Sequence, residues 1–559
     1  MMNTARLLMG RRELLRLGGG VGAAAVAAAA LPRSVRAMVD STIRGIPAGD
    51  ASPAELTIDD PLVKSLALRA IDAARGAGAT YADVRLTRTE SQSFLDGPSR
   101  FWDDRETLAI GVRALVNGYW GFAASPVWSN EEAVVLAQEA VAQAKANATG
   151  APRTVELGTI PAASGSWVMP VQIDPFAMPL EEKIDFLASW TRLAREYHSR
   201  ITLPMATVVL ARQARAVATS EGAYFTQTVY SSEGEFRFKV RHRSWQERGT
   251  ARAAARGMTA SGRGWEMFRD ADPCAQIPRM FEDADELVHA PHKPVDLGRF
   301  DIVFAAPVVA TLVDKTIGVA TELDRALGYE ANAGGTSYLS NPLAMLGAYK
   351  VGNPLVTVTG NRSVQGGLAT VRWDDEGVTP NDMTLVRDGI AVDFQTTREQ
   401  SAWLAPWYQR QNTPVRSHGC AGAASAMDIT MQSPPNLALR PTETATTFAD
   451  LIAGTKKGIA IYESDVHTDH QARTGTTGGE TVFREIVNGK VGAVIAGGAI
   501  LFNTSELWNN VTGIGGASGV EWLGCRRRKG QPEQNTQHSV SAVPMAVKEL
   551  AIVDEQRKA

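Results

Sequence analysis

Apolar positions follow two rhythms along this chain. From Asp60 to about residue 290, a helical period alternates with a strand period. Leu62, Leu66, Ala67, Ile71 and Ala74 recur at the spacing of one buried helix face, and Gly76-Ala77-Gly78 ends that helix. Alternation over 81–87 predicts a strand, and residues 108–116 predict another that Asn117-Gly118 turns into Tyr119-Trp120-Gly121-Phe122. Residues 133–148 read as a second amphipathic helix. A Pro/Gly-containing segment (150–175), a helix near 180–197, strands through 201–211 and 224–243, and a helix near 280–288 follow. Pro291 and Pro294 bracket a boundary. Beyond it the pattern predicts a strand at 300–304, one substantial helix at 308–327, and short strands at 355–358, 383–387, 391–394, 491–500 and 545–552. The expected class is α+β, with an N-terminal α/β domain over 55–290 and a β-rich antiparallel C-terminal domain over 295–555.

The first 37 residues have a different composition. A basic region containing Gly10-Arg11-Arg12-Glu13-Leu14-Leu15-Arg16 leads into an Ala/Gly-rich run (17–31), which ends in Pro32-Arg33-Ser34-Val35-Arg36-Ala37. That order of charged, weakly apolar and small residues is that of an export signal, and Arg11-Arg12 makes it twin-arginine-like. A membrane anchor is the competing reading, but the run is shorter and less apolar than the ~20 strongly apolar residues a span needs. The destination expected is the periplasm or the exterior. The whole chain has 57 Lys+Arg against 60 Asp+Glu, and removing the segment's six Arg and one Glu leaves a formal charge of −8. An acidic mature protein lacks the basic footprint of a nucleic-acid binder. Cys274, Cys420 and Cys525 are too few and too scattered for a disulfide framework.

Several blocks together resemble the TldD/PmbA family, described as metallopeptidases and as modulators of DNA gyrase. The first comprises Tyr81-Ala82-Asp83-Val84-Arg85-Leu86 and Ile110-Gly111-Val112-Arg113-Ala114-Leu115-Val116-Asn117-Gly118-Tyr119-Trp120-Gly121-Phe122-Ala123. The second joins Leu355-Val356-Thr357-Val358 to Trp373-Asp374-Asp375-Glu376-Gly377-Val378 and Leu385-Val386-Arg387-Asp388-Gly389. The third is Gly524-Cys525 with Lys529-Gly530-Gln531. The resemblance implies an α+β domain followed by a β-rich one. It also implies a homodimer, or a heterodimer with another family subunit, around a peptide-accessible cavity; from the charge no nucleic acid partner is expected, and from the apolar pattern no integral membrane part.

The family's zinc chemistry resides in a His-Glu-x-x-x-His helix and a distant Cys: two imidazoles and a thiolate hold the ion, and the Glu serves as base. Ligands five residues apart point about 140° apart on a regular helix, so the turn between them must widen. The matching segment here is Asp314-Lys315-Thr316-Ile317-Gly318-Val319-Ala320-Thr321-Glu322-Leu323-Asp324. Both histidines and the base are replaced: Asp314 and Val319 stand at the ligand positions and Lys315 at the base. Cys525 falls where the ligand Cys lies, yet Asp314 with Cys525 alone makes a poor metal site. A rearranged zinc site is conceivable from His467 and His470 in Asp465-Val466-His467-Thr468-Asp469-His470, completed by Cys525. The bland reading of that stretch is a solvated loop. His418 beside Cys420 is a similar pair. Trp403, Trp407, Tyr408 and Arg410 suit a packed turn better than a peptide-binding rim. His538 has no partner nearby in sequence. The expected function is a family homologue of metallopeptidases acting as a non-catalytic, PmbA-like, peptide-holding subunit. The alternatives are a peptidase with the rearranged site and an exported peptide-binding protein.

Overall fold

The computed structural model describes residues 57–148, 154–244 and 249–554. The export-type segment expected at 1–37 lies outside these residues, as does the end of the chain from 555.

Strands of the first half run much longer than their apolar alternation shows. The strand read at 81–87 continues as Tyr81–Asp96, and the one read at 108–116 begins at Arg100 and ends at Val116. Residues 88–93 are mostly polar, so a hydrophobicity pattern does not mark them as strand. The two strands pair antiparallel along their length, from Tyr81 opposite Leu115 to Asp96 opposite Arg100. Asn117 and Gly118 both take positive φ, as a tight hairpin turn requires, and lead into Tyr119–Ser125. Ile201–Thr219 pairs antiparallel with Tyr81–Asp96 on one side and Tyr224–Arg241 on the other. Ser164–Val168, in the segment expected only as Pro/Gly-containing, adds a parallel strand beside Tyr224–Arg241.

One face of this sheet is apolar and takes the helices. Pro61–Gly76 is N-capped by Asp60, whose carboxylate accepts from Leu62 N, and Asn130–Asn147 is capped in the same way by Ser129. Their Ala- and Leu-rich sides pack on Ala82, Val84, Leu86, Ile110, Val112, Ala216 and Ala218. Further along the same strands, Leu180–Tyr197 and Ile277–His289 cover Phe94, Ala206, Val208, Leu210, Phe236 and Phe238. Those residues of Tyr81–Asp96 and Ile201–Thr219 are all even-numbered, so a single face carries both cores.

The second half is β-rich and mostly antiparallel, and the α+β reading holds. A six-stranded sheet runs Ile390–Ala391, Met383–Arg387, Val358–Asn361, Asn436–Leu439, Gln534–Ala542, Glu521–Lys529. An eight-stranded sheet centres on Gly298–Phe304, flanked by Lys457–Thr468 and Met545–Asp554. His292–Pro294, expected as a boundary, is itself a strand of the larger sheet, parallel to Lys490–Ala496. The single helix expected at 308–327 is broken. Ala306–Leu312 is α-helical, Val313–Gly318 widens into a π-turn, Glu322 takes extended backbone and bridges Gln395, and helix resumes at Leu323–Ala326.

The odd-numbered face of the first sheet is polar, and the second half buries it. Arg113 Nε donates to Asp83 Oδ2 at 2.9 Å, and its Nη2 reaches Glu376 Oε1 at 3.1 Å. Arg85 and Arg215 both donate to Asp375, at 3.2 and 2.7 Å, and Ala423 N adds a third bond to the same carboxylate at 2.9 Å. Gln227 Nε2 caps Trp373 O at 2.8 Å. At Gly111 a Cβ would lie 2.0 Å from Ala426 O, so only glycine lets the two halves approach this closely. Removing one partner of a buried ion pair strands the others, at roughly 3–5 kcal/mol. Asp375→Ala is therefore expected to lose stability of that order in denaturant unfolding. Glu196→Ala, which removes the partner of the exposed Arg192, should lose at most about 1 kcal/mol.

Candidate functional site

Residues 313–318 form the wider turn that the five-residue spacing demands. Val319 N donates to Asp314 O, five residues back. Side chains hold the widened backbone in place. Thr316 Oγ1 bonds Leu312 O and accepts from Trp508 Nε1 at 2.9 Å, and Gln395 Nε2 caps Gly318 O at 2.7 Å. Asp314 and Val319 are buried on this turn, and Lys315 is partly exposed.

Facing Asp314 is the hairpin of Glu521–Lys529 and Gln534–Ala542, in which Cys525 lies directly opposite His538. Cys525, Arg527 and Lys529 alternate onto its inner face. A carboxylate oxygen of Asp314, Cys525 Sγ and a ring nitrogen of His538 all lie within 4.8 Å of one another, and all three residues are buried. Among the described residues this is the one such group of potential ligands. It joins two expected positions, Asp314 and Cys525, to one that sequence reasoning missed. The available signal was a hairpin: Gly530 and Pro532 lie between two alternating polar runs, and folding there brings 538 to 525.

His467 and His470 are not part of this cluster, which corrects the rearranged site expected of them with Cys525. His467 sits in the strand Lys457–Thr468, opposite Thr476, and both histidines are exposed. Asp469 spends its carboxylate on the adjoining turn, accepting from the backbone of Gln471, Arg473 and Thr474. His418 bonds Asp393 at 2.9 Å and Asn381 at 3.1 Å, and burial pushes the Cys420 thiol up to about 12. Trp407 and Tyr408 pack in the core of the second half, with Trp403 against its margin, as expected of a packed turn.

Cationic side chains neutralise the carboxylates of the cluster. Arg527 Nη2 lies 2.7 Å from Asp314 Oδ1 and 3.2 Å from His538 Nε2, and Arg527 Nη1 bonds Glu322. Lys529 Nζ reaches Glu322 at 2.9 Å and Asp324 at 3.0 Å and also bonds Gln432. Burial alone would raise the Asp314 and Glu322 carboxyls, but Arg527 beside the first and Lys529 with Arg527 beside the second hold both low. Burial and the Asp314 charge push the Cys525 thiol well up, and burial, then Arg527, lower His538.

The donor types alone, O, S and imidazole N, would suit zinc. The charges do not. The ligand carboxylate is already neutralised by a guanidinium, Lys315 Nζ stands 3.9 Å from its other oxygen, and the thiol is held protonated. Glu322, on the same segment, has its carboxylate tied to Arg527, Lys529 and Arg325. With these residues in place the cluster fits neither a bound zinc ion nor a metal-activated water.

Residues 297–553, which carry the widened turn and the hairpin, match the family described as the PmbA/TldA metallopeptidase C-terminal domain. Over this span the chain carries the C-terminal domain of the TldD/PmbA family. It is 22% identical over 387 residues to a metalloprotease of Methanocaldococcus jannaschii, covering 69% of this chain and 78% of the relative. It is 25% identical over 330 residues to a metalloprotease of Synechocystis, covering 58% and 66%. Two solved structures share the fold. One is a proposed modulator of a DNA gyrase from Thermotoga maritima, with a TM-score of 0.65 at 16% identity, covering 88% of this chain and 100% of that one. The other is TldE from Thermococcus kodakarensis, with a TM-score of 0.62 at 14% identity and the same coverage. No helix among the described residues of this chain is long and apolar enough to cross a membrane.

Two sets of carboxyls give stability opposite slopes with pH. Asp314 and Glu322 are held low, so their contribution is full above the ordinary carboxyl range and is lost progressively as pH falls from about 4 toward their lowered values. Asp374 is pushed up to about 7 by burial and Glu376. Between about pH 4 and 7 the native state binds the extra proton, so this group lowers stability as pH rises. Unfolding temperature measured against pH is expected to peak in mildly acid solution. Asp374→Asn should flatten the limb above the peak and Asp314→Asn the limb below it.

Proposed function

We propose that this chain is an exported, non-catalytic, peptide-holding subunit that works beside a family member carrying an intact His-Glu-x-x-x-His. The observation that carries the reading is the identity of the residues on the widened turn: Lys315 at the base position and Val319 at the second ligand position. A lysine there supplies a positive charge where hydrolysis needs a carboxylate to take a proton from water. Peptide holding is supported by a cavity of about 400 Å³ between the polar face of the first sheet and the second half. It is lined by hydrogen-bonding side chains including Ser91, Gln213, Tyr230, Thr370 and Asn535. Export is supported by the Arg11-Arg12 segment, and a mature charge of −8 argues against a nucleic-acid partner.

Metal analysis and a peptide-hydrolysis assay with and without chelator test the first part. The purified mature chain is expected to hold no stoichiometric zinc and to show no chelator-sensitive cleavage. Chelator-sensitive cleavage by the chain alone would overturn the reading. Co-purification tests the second part. Recovery of a zinc-motif family member is expected, and recovery of bound peptide without any family partner would point instead to an exported peptide-binding protein.

A further inference from the structure

We infer that Arg527 is a tethered cation standing in for a metal ion, and that Asp314, Cys525 and His538 form a latent soft-metal site that this guanidinium keeps closed. The inference deepens, and rests on, the reading that the chain is not itself a metallopeptidase.

The three donors come from separate elements, the widened turn and the two strands of the hairpin, and converge within 4.8 Å in a buried pocket. A carboxylate oxygen, a sulfur and an imidazole nitrogen form a set suited to zinc or cobalt(II). Arg527 Nη2 contacts two of the three, Asp314 Oδ1 and His538 Nε2. The backbone makes room for it: a Cβ on Gly318 would lie 3.3 Å from that nitrogen and 2.7 Å from Leu437 Cδ1.

Hydrogen bonding around the guanidinium is incomplete. His538 Nε2 lies 2.8 Å from the acceptor Asp314 Oδ1 and 3.2 Å from the donor Arg527 Nη2. One nitrogen of a neutral ring cannot donate to the first and accept from the second at once. His538 Nδ1 and Arg527 Nε are buried with no hydrogen-bond partner among the described residues. Charge is thus balanced at this point while the polar contacts are not, which suits donors arranged for a compact ion better than for a planar fork. Taking Arg527 away leaves Glu322 with Lys529 and Arg325 but strands Asp314, whose other ionic contacts are His538 and a lysine 3.9 Å off. A divalent ion would then supply the missing charge.

Cobalt(II) titration of the full mature chain, read by absorbance, is the test. The wild-type protein is expected to give no thiolate-to-cobalt band. Arg527→Met and the more conservative Arg527→Gln should each take up one equivalent with that band, at least about tenfold more tightly than wild type. The band should vanish when Cys525→Ser is added. Zinc should raise the unfolding temperature of either variant and leave that of the wild type unmoved. If a variant accumulates unfolded, zinc in the medium should recover it. A thiolate band from the wild type, or folded variants that bind no cobalt, or failure of zinc to recover an unfolded variant, would each overturn the inference. Peptide cleavage is a separate readout: cleavage by the wild type overturns the proposed function, whereas these spectra bear on Arg527.

Discussion

Asp375 sits in a loop of the second half, almost out of reach of water, and stays charged because Arg85 and Arg215 on two strands of the first sheet converge on it. Burial alone would protonate such a carboxyl; the two guanidinium groups hold its pKa below the ordinary value. Arg113 repeats the arrangement one strand away, between Asp83 and Glu376, with its guanidinium 4.1 Å from the centre of the Trp120 ring. The face of the first sheet that carries these groups can be buried only against a partner surface that completes their hydrogen bonds. That requirement places the loop 373–378, and with it the second half, on the sheet. The apolar face, covered by its own helices, imposes no such specificity.

The same chemistry recurs at the candidate site. There Asp314 and Glu322 are held charged by Arg527, Lys529 and Arg325 rather than by an ion, while Asp324, bonded to the same Lys529, is pushed up by burial. The widened turn that a five-residue ligand spacing requires persists without its ligands, because Trp508 and Gln395 brace it from other parts of the fold. The π-turn keeps its shape through neutral hydrogen bonds, and its charge is balanced separately by Arg527 and Lys529 on the opposing hairpin.

Much of the fold is legible in the chain. The helices near 61–76, 130–147, 180–197 and 277–289 follow from apolar spacing, and the Asn117-Gly118 turn from its dipeptide. That Asp314, Lys315 and Val319 occupy this segment is read directly from the chain. Other features are hidden for physical reasons. Strand residues 88–93 and 103–107 are all polar, and the hairpin 521–542 carries Lys529 and His538 on a face that the tertiary structure buries. The expected helix over 308–327 ends early because Glu322 is drawn into extended backbone against Gln395, a contact 73 residues away in the chain.

The sequence by itself determined which groups exist: helices with one apolar side, an Asn-Gly hairpin turn, and the charged side chains Asp314, Lys315 and Glu322 within one short segment. Local periodicity and residue identity suffice for that, since each depends on neighbours within a turn or two of the chain. Only the tertiary structure decided which groups meet. His538 reaches Cys525 through a hairpin register, Arg527 reaches Asp314 across two elements more than 200 residues apart, and the polar face of the first sheet is buried rather than wetted. Such meetings depend on strand pairing and on the balance of burial against charge, and no local pattern encodes either.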